Sequence, residues 1–182
     1  MLTHRVHITS ALTALRAGGV IAYPTETVWG LGCDPEDDNA VARVMAIKRR
    51  SDKKGLILIG AHIDDFQLWV AQKWLAWIEA QAPARPTTWV VPCLPSTPVW
   101  LTGGRQTLAV RLVRQGPAAE LASRFGALVS TSANLSGHQT LTHLWQVRLR
   151  LGRWLDAIVP GQPGGTRPSR IVDVCTGKVL RD

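Results

Sequence analysis

The apolar residues of this chain fall in short runs, and the runs alternate between two periods. Leu12 and Leu15 lie three apart behind Thr9 and Ser10, and Gly18-Gly19 follows, which predicts a hydroxyl-capped helix ended by glycine. Residues 19–23 read as a buried strand stopped by Pro24. Behind Asp37 or Asp38, either of which can cap, Val41, Val44 and Met45 make the i, i+3, i+4 stripe of a second helix. Residues 55–60 are a short apolar run between glycines, a third kind of signal that reads as a strand. Asp64 or Asp65 opens a longer predicted helix, to about residue 81, carrying Trp69, Trp74 and Trp77 with the spacing of a core-facing stripe. Strands are predicted over 88–91, 108–113 and 127–130, with a helix that starts at Pro117 before the last of them. A helix over 142–151 and short strands near 157–159 and 170–174 complete the pattern. Helices and strands alternate, yet several strands are close neighbours along the chain. That combination predicts an α/β fold: a single domain over 1–182, with a twisted mixed parallel and antiparallel sheet flanked by helices.

Composition agrees with this picture and removes some functions from it. A chain of 182 residues suits one domain, and a globule of this size buries roughly 70% of its unfolded surface. No run approaches the roughly 20 apolar residues of a membrane span, and the first nineteen residues lack the apolar centre of a secretory signal. Cys33, Cys93 and Cys175 are odd in number and widely spaced, so we read them as reduced thiols of a cytoplasmic protein with no metal site. The net charge of +8 favours anionic partners such as nucleotides or RNA.

Three stretches can carry chemistry. In the run from Lys48 to Lys54, five cations fall within seven residues at the end of a predicted helix. They either complement the helix dipole or clamp a polyphosphate, with arginine forks and lysine point charges. In Tyr23-Pro24-Thr25-Glu26-Thr27-Val28-Trp29-Gly30-Leu31-Gly32, hydroxyls follow a strand end. They either satisfy turn amides or orient a small polar ligand, with Gly30 and Gly32 permitting close approach. In Val129-Ser130-Thr131-Ser132-Ala133-Asn134-Leu135-Ser136-Gly137, five short polar side chains sit behind a strand. A nucleophilic serine needs an adjacent base held by a third group, and none of His4, His7, His62, His138 and His143 has that context. The Asn134 glycosylation sequon has no secretory route to serve it, which leaves a strand-end turn or a ligand-gripping loop.

Taken together, YPTETVWGLGCDP, KRRSDKKGLILI and LVSTSANLSG resemble the YrdC family of threonylcarbamoyl-AMP synthases, supported by WLTGGRQTLAVRL and PGQPGGTRPSRIVD. The resemblance runs from about residue 10 to 181, in the short form without a further C-terminal domain. It implies a nucleotidyltransferase that joins L-threonine, bicarbonate and ATP into threonylcarbamoyl-AMP, with pyrophosphate and water released. This is the first step of N6-threonylcarbamoyladenosine formation in tRNA. It also implies Mg2+ with the phosphates, no organic cofactor, and a downstream threonylcarbamoyl transferase complex. Lys48, Arg50, Ser132 and Asn134 match the family's catalytic core. By the same resemblance, Lys48, Arg50, Lys54, Ser132, Asn134, Thr140 and Arg181 belong to the ATP site, and Thr25, Thr88, Ser130 and Ser169 surround threonine.

This chain departs from the family pattern at four places. Ser51 stands where proline is frequent, and residues 83–88 lack the glycine of a P-G-P-x-T stretch near Ala84. Ile59 stands where longer members carry a threonine-binding histidine, and Trp29 replaces a tyrosine or phenylalanine. The alternative is a non-catalytic RNA-binding protein of the same fold, with Arg148, Arg150 and Arg153 on one predicted helix, where they are otherwise a solvated face.

Overall fold

The computed structural model describes residues 2–51 and 53–182, with side chains from Arg5 onward. In chain order the elements are α1 (Leu2–Arg16), β1 (Ile21–Pro24), β2 (Trp29–Cys33), α2 (Asp38–Lys48), β3 (Ile57–Gly60), α3 (Gln72–Glu79), β4 (Thr87–Pro92), α4 (Val99–Thr102), β5 (Thr107–Leu112), α5 (Gly116–Phe125), β6 (Leu128–Ser132), α6 (Leu144–Leu151), β7 (Ala157–Ile158), β8 (Arg170–Asp173) and β9 (Val179–Arg181). Single 3₁₀ turns lie at Ile63–Phe66 and Gly152–Trp154. The strands join one mixed sheet in the order β7-β1-β2-β6-β3-β5-β4-β8-β9. Three pairs are parallel (β1 with β7, β3 with β5, β4 with β8) and the other five antiparallel.

Side chains alternate across a pleated strand, and here the alternation sorts the core into two layers. Tyr23, Ile59 and Leu128 are buried with α1 and α5 on one face. Ala22, Leu58 and Val129, one position away on the same strands, are buried on the other face with Val41 and Val44 of α2 and Val147 of α6. At about 25 cal/mol per Å², burying aliphatic side chains of this size contributes about 1.5–3 kcal/mol each. Register is therefore tightly specified, because a one-residue slip would exchange the two layers.

Several predicted elements shift. The first helix begins at Leu2, so Thr9 and Ser10 lie inside it, and the Thr13 hydroxyl donates back to the Thr9 carbonyl. Ile8 and Ala11 extend the buried stripe of Leu12 and Leu15 upstream, and that packing carries the helix past the predicted cap. Asp37 does cap α2, accepting from the Ala40 amide at 3.0 Å. The helix predicted over 64–81 divides in two, because Val70 leaves it to bridge Cys93 and the Asp65 carboxylate takes the amides of Ala61 and His62. The tryptophans divide accordingly. Trp69 is buried and Trp74 partly so, while Trp77 is more exposed and meets the Trp89 ring edge-on at 5.2 Å.

The sequence pattern does not announce β2, α4 or β9. Strand β2 hides behind its glycines, whose role is local: a Cβ on Gly32 would lie 2.6 Å from the Val129 carbonyl oxygen and 2.8 Å from the Tyr23 ring. Residue 32 is glycine so that the β1–β2 hairpin can close over a buried tyrosine, not to admit a ligand.

Candidate active site

One face of the sheet is only half covered. Helices α1 and α5 lie over Tyr23, Ile59, Val113 and Leu128. Further along the same face, Ile57, Thr107, Ala109, Arg111, Ser130 and Ser132 carry no helix and floor a cavity of about 480 Å³. Residues 168–169 and the strand pair β8–β9 wall one side of it, and Arg50, Gly55 and the end of α4 another. A half-covered sheet face is thus the origin of the concavity.

Of the residues singled out from sequence, Thr25, Arg50, Ser130, Ser132, Ser169 and Arg181 line this cavity. They come from five separate segments, Ser130 and Ser132 sharing β6, that one sheet brings together. Lys48, Lys54, Thr88, Asn134 and Thr140 are not in its lining. The Lys48 side chain is buried, and its ammonium donates to the Ser132 carbonyl and, at 2.7 Å, to the Asn134 carbonyl. The Ser136 amide in turn donates to the Lys48 carbonyl at 3.0 Å. Lys48 therefore clips the loop after β6 to the end of α2 from both its backbone and its side chain. Burial, with Arg50 as a second cause, holds its pKa down at about 8.

Asn134 braces the same loop, its amide donating to the carbonyls of Leu135 and His138 at 3.0 and 2.6 Å. Thr88 lies fully buried behind Ser169, their hydroxyls 2.8 Å apart. Lys54 is exposed, and Thr140 is half-buried further along the loop. The Thr25 hydroxyl serves the hairpin turn: it donates to the Val28 carbonyl at 2.7 Å and accepts the amides of Thr27 and Val28.

Two arginines in the lining were not singled out from sequence: Arg105 and Arg111. A signal was present. In β5, Thr107-Leu108-Ala109-Val110-Arg111-Leu112, the large apolar residues Leu108, Val110 and Leu112 hold one parity, so the arginine belongs to the other face. Arg111 is 5% exposed, its Nη1 donates to the Thr27 hydroxyl at 3.4 Å, and its Nε has no hydrogen-bond partner. Burial lowers its pKa, and the nearby Glu26 carboxylate works in the opposite direction. Glu26 itself is engaged by the backbone amides of Arg114 and Gln115. Arg181 reaches the cavity from β9, donating from Nε to the Ser169 carbonyl at 2.9 Å and from Nη2 to the Ser169 hydroxyl at 3.2 Å. Arg50 is held by the Gly55 carbonyl at 2.8 Å.

Four guanidiniums, of Arg50, Arg105, Arg111 and Arg181, thus face one cavity, and no ion pair is found for any of them among the described residues. Burial, and the arginines' effect on one another, lowers the pKa of Arg50 and of Arg181. The one carboxylate in the lining, Asp173, accepts the amides of Cys175 and Thr176. Such a cluster is a site for an anion of high charge: the cations are already gathered and partly desolvated. Among the described residues no group of three or more His, Cys, Asp or Glu could hold a metal ion, and no helix is long and apolar enough to cross a membrane.

Fold and site together define an α/β protein with an arginine- and hydroxyl-lined cavity on the open half of a mixed sheet. The chain belongs to the Sua5/YciO/YrdC family, whose model, described as telomere recombination, matches residues 13–182. It is 46% identical to a threonylcarbamoyl-AMP synthase of Halorhodospira halophila, over 98% of this chain and 96% of that protein. It is 40% identical to the same enzyme of Xanthomonas oryzae, over the full length of both. The structure of E. coli YciO superimposes with a TM-score of 0.82 at 26% identity, over 98% of this chain and 89% of that one. That of P. abyssi Sua5 complexed with L-threonine gives 0.81 at 28% identity, covering 96% of this chain. This chain spans only 53% of that Sua5 chain. The alternative of a non-catalytic RNA-binding protein is not favoured by these relationships.

Proposed function

We propose that this chain is an L-threonylcarbamoyl-AMP synthase, acting as one domain over residues 1–182 and a nucleotidyltransferase by reaction class. The observation that carries this reading is the set of four arginines around one cavity, without ion-pair partners among the described residues, with serine and threonine hydroxyls between them. The substrates bring the matching groups: a triphosphate, a carboxylate, an amine and a hydroxyl.

The chemistry needs no protein nucleophile. The amine of threonine adds to carbon dioxide, derived from bicarbonate with loss of water, and gives up a proton to become a carbamate. A carbamate oxygen attacks the α-phosphorus of ATP, the bond from that phosphorus to the bridging oxygen breaks, and pyrophosphate leaves. The protein's part is to hold two anions in line and to stabilise the charge that grows on the departing pyrophosphate. Arg111 suits the threonine carboxylate, because it is the most enclosed of the four and no ion pair holds it among the described residues. Ser130 and Ser169 lie beside it, with Thr88 fixing Ser169 from behind. Arg50 and Arg105 suit the phosphates beside Ser132, and Arg181 lies between these groups and Ser169. Lys48 and Asn134 act by fixing the loop that carries Ser132.

Asp173 is the one carboxylate of the lining, and no group of three or more His, Cys, Asp or Glu gathers among the described residues, so Mg2+ would be held chiefly by the nucleotide and would supply charge neutralisation at its phosphates. The product is an activated carbamate that a separate transferase must consume, attaching it to tRNA in the cytoplasm. Pyrophosphate release from the purified protein tests the reading. Release is expected only when ATP, bicarbonate and threonine are all present, and serine in place of threonine should support it less well. Release without threonine, or none with all three, would overturn it.

A further inference from the structure

A second cavity of about 430 Å³ lies across the end of α2 from the first, lined by Arg43, Arg49, Leu135, Arg153, Trp154 and Asp156 among others. The two cavities share backbone. Arg49 lines one and Arg50 the other; Leu135 lines one and Ser132 the other. Arg49 makes this division possible. It caps α2 with φ 48° and ψ 45°, the only positive φ outside glycine among the described residues. A left-handed conformation costs an ordinary residue about 1–2 kcal/mol, and a neighbouring pair of arginines is thereby directed into separate cavities.

The second cavity is basic, like the first. Asp156 is its one acid, and that carboxylate is already held by Arg43 at 2.8 Å and by the Val20 amide at 2.7 Å. Neither Arg49 nor Arg153 has an ion pair among the described residues. The Arg153 guanidinium sits 4.0 Å over the ring of Trp154, which is 37% exposed. The same character continues along α6. Arg150 lies one turn before Arg153 and Trp154; Trp145 and Leu149, four apart, are exposed on the outward face, and Arg148 is exposed beside them. The His143 ring stacks on Trp145 with an interplanar angle of 10°. No Asp or Glu occurs between Glu120 and Asp156.

Arginines without ion pairs among the described residues, Arg49, Arg150 and Arg153, interleaved with exposed flat rings, suit a phosphodiester chain whose unpaired bases stack. A lipid surface would be met by a convex apolar face, whereas here the arginines line a hollow. The basic and aromatic surface also runs along α6, about 12 Å at 1.5 Å per residue, which exceeds the reach of one free nucleotide in the hollow. We propose that this second cavity and the outer face of α6 bind a single-stranded segment of RNA, with phosphates on Arg49, Arg150 and Arg153 and bases on Trp154 and Trp145. The choice of RNA over DNA rests on the proposed function, whose product is destined for tRNA; the site itself does not.

Fluorescence anisotropy with a labelled single-stranded oligoribonucleotide and with bulk tRNA tests this. The DNA of the same sequence and phosphatidylserine vesicles serve as competitors. The wild-type protein should bind RNA with an affinity that falls as salt rises. Arg153→Glu combined with Trp154→Ala should weaken it by about tenfold or more, since losing one stacked base alone costs roughly 5- to 150-fold. Threonine-dependent pyrophosphate release by the same variant should stay within about twofold of wild type, which also shows that the variant is folded. If that variant fails to fold, Trp145→Ala with Arg150→Ala reads the same surface from α6. The proposal is overturned if the wild type binds no RNA, if folded variants bind it unchanged, if ATP competes the RNA off, or if vesicles alone are bound. Loss of RNA binding in the variants of a protein that releases no pyrophosphate would sink the proposed function and leave this site standing.

Discussion

Arg111 and Lys48 show how differently two buried cations can be used. Arg111 lines the cavity with no ion pair among the described residues, which leaves its guanidinium to a partner from outside the protein. If that partner is the threonine carboxylate, Arg111→Ala should lower kcat/KM for threonine about 10²- to 10³-fold, the range found for removing one preorganised donor. KM for ATP should move far less. Steady-state kinetics with each substrate varied in turn separates the two. Lys48 has its partners already, and they are backbone carbonyls. Lys48→Met leaves two of them without a donor, at about 1–3 kcal/mol each, and should loosen the loop before it weakens phosphate contact. Its ammonium, with a pKa of about 8, should be raised again by a bound polyphosphate. ATP binding therefore takes up a proton above about pH 8, and affinity falls as pH rises through that value. Calorimetry in buffers of different ionisation enthalpy reads this proton uptake, and Lys48→Met should abolish it.

At the scale of the element, the hairpin β1–β2 is the tightest construction in the fold. The Tyr23 ring fills the space that a side chain on Gly32 would need, with the Val129 carbonyl closing the other side. Gly32→Ala should lower stability by about 1–3 kcal/mol, as overpacking of a well-filled core does, seen as a lower urea midpoint with an unchanged slope. Strand β9 is the opposite case. It is a short edge strand whose apolar residues Val179 and Leu180 are exposed, yet it delivers Arg181 to Ser169. Arg181→Ala should leave the melting temperature within a few degrees while sharply reducing pyrophosphate release. The element pattern was legible where a buried stripe or alternation was strong, as in α2, β3, β5 and β6. It failed at β2, where glycines erase the alternation, and along 64–81, where Val70 turns aside to pair with Cys93.

For the whole molecule, the net charge of +8 is not spread evenly. Four arginines meet in one cavity, and their mutual repulsion is a cost that an anion relieves. Pyrophosphate alone should therefore raise the melting temperature. At a hundred times its Kd the gain is about 2.7 kcal/mol, and it should shrink in high salt. Threonine alone, a zwitterion, should stabilise less, and a thermal shift series compares them directly.

The sequence by itself determined the fold class, the family, and the residues whose motifs are local: the cation run at the end of α2 and the serine-rich end of β6. Periodicity and short motifs are properties of neighbours along the chain, so they survive in a string of letters. Only the tertiary structure decided which of those residues face the cavity. Lys48 and Asn134 turn to the protein's own carbonyls, and Thr88 supports Ser169 from behind. Arg105 and Arg111 join the site because strand parity and an uncovered half of the sheet put them there. Which face a helix leaves open depends on packing between segments far apart in sequence, and a buried ammonium takes whichever acceptor that packing presents.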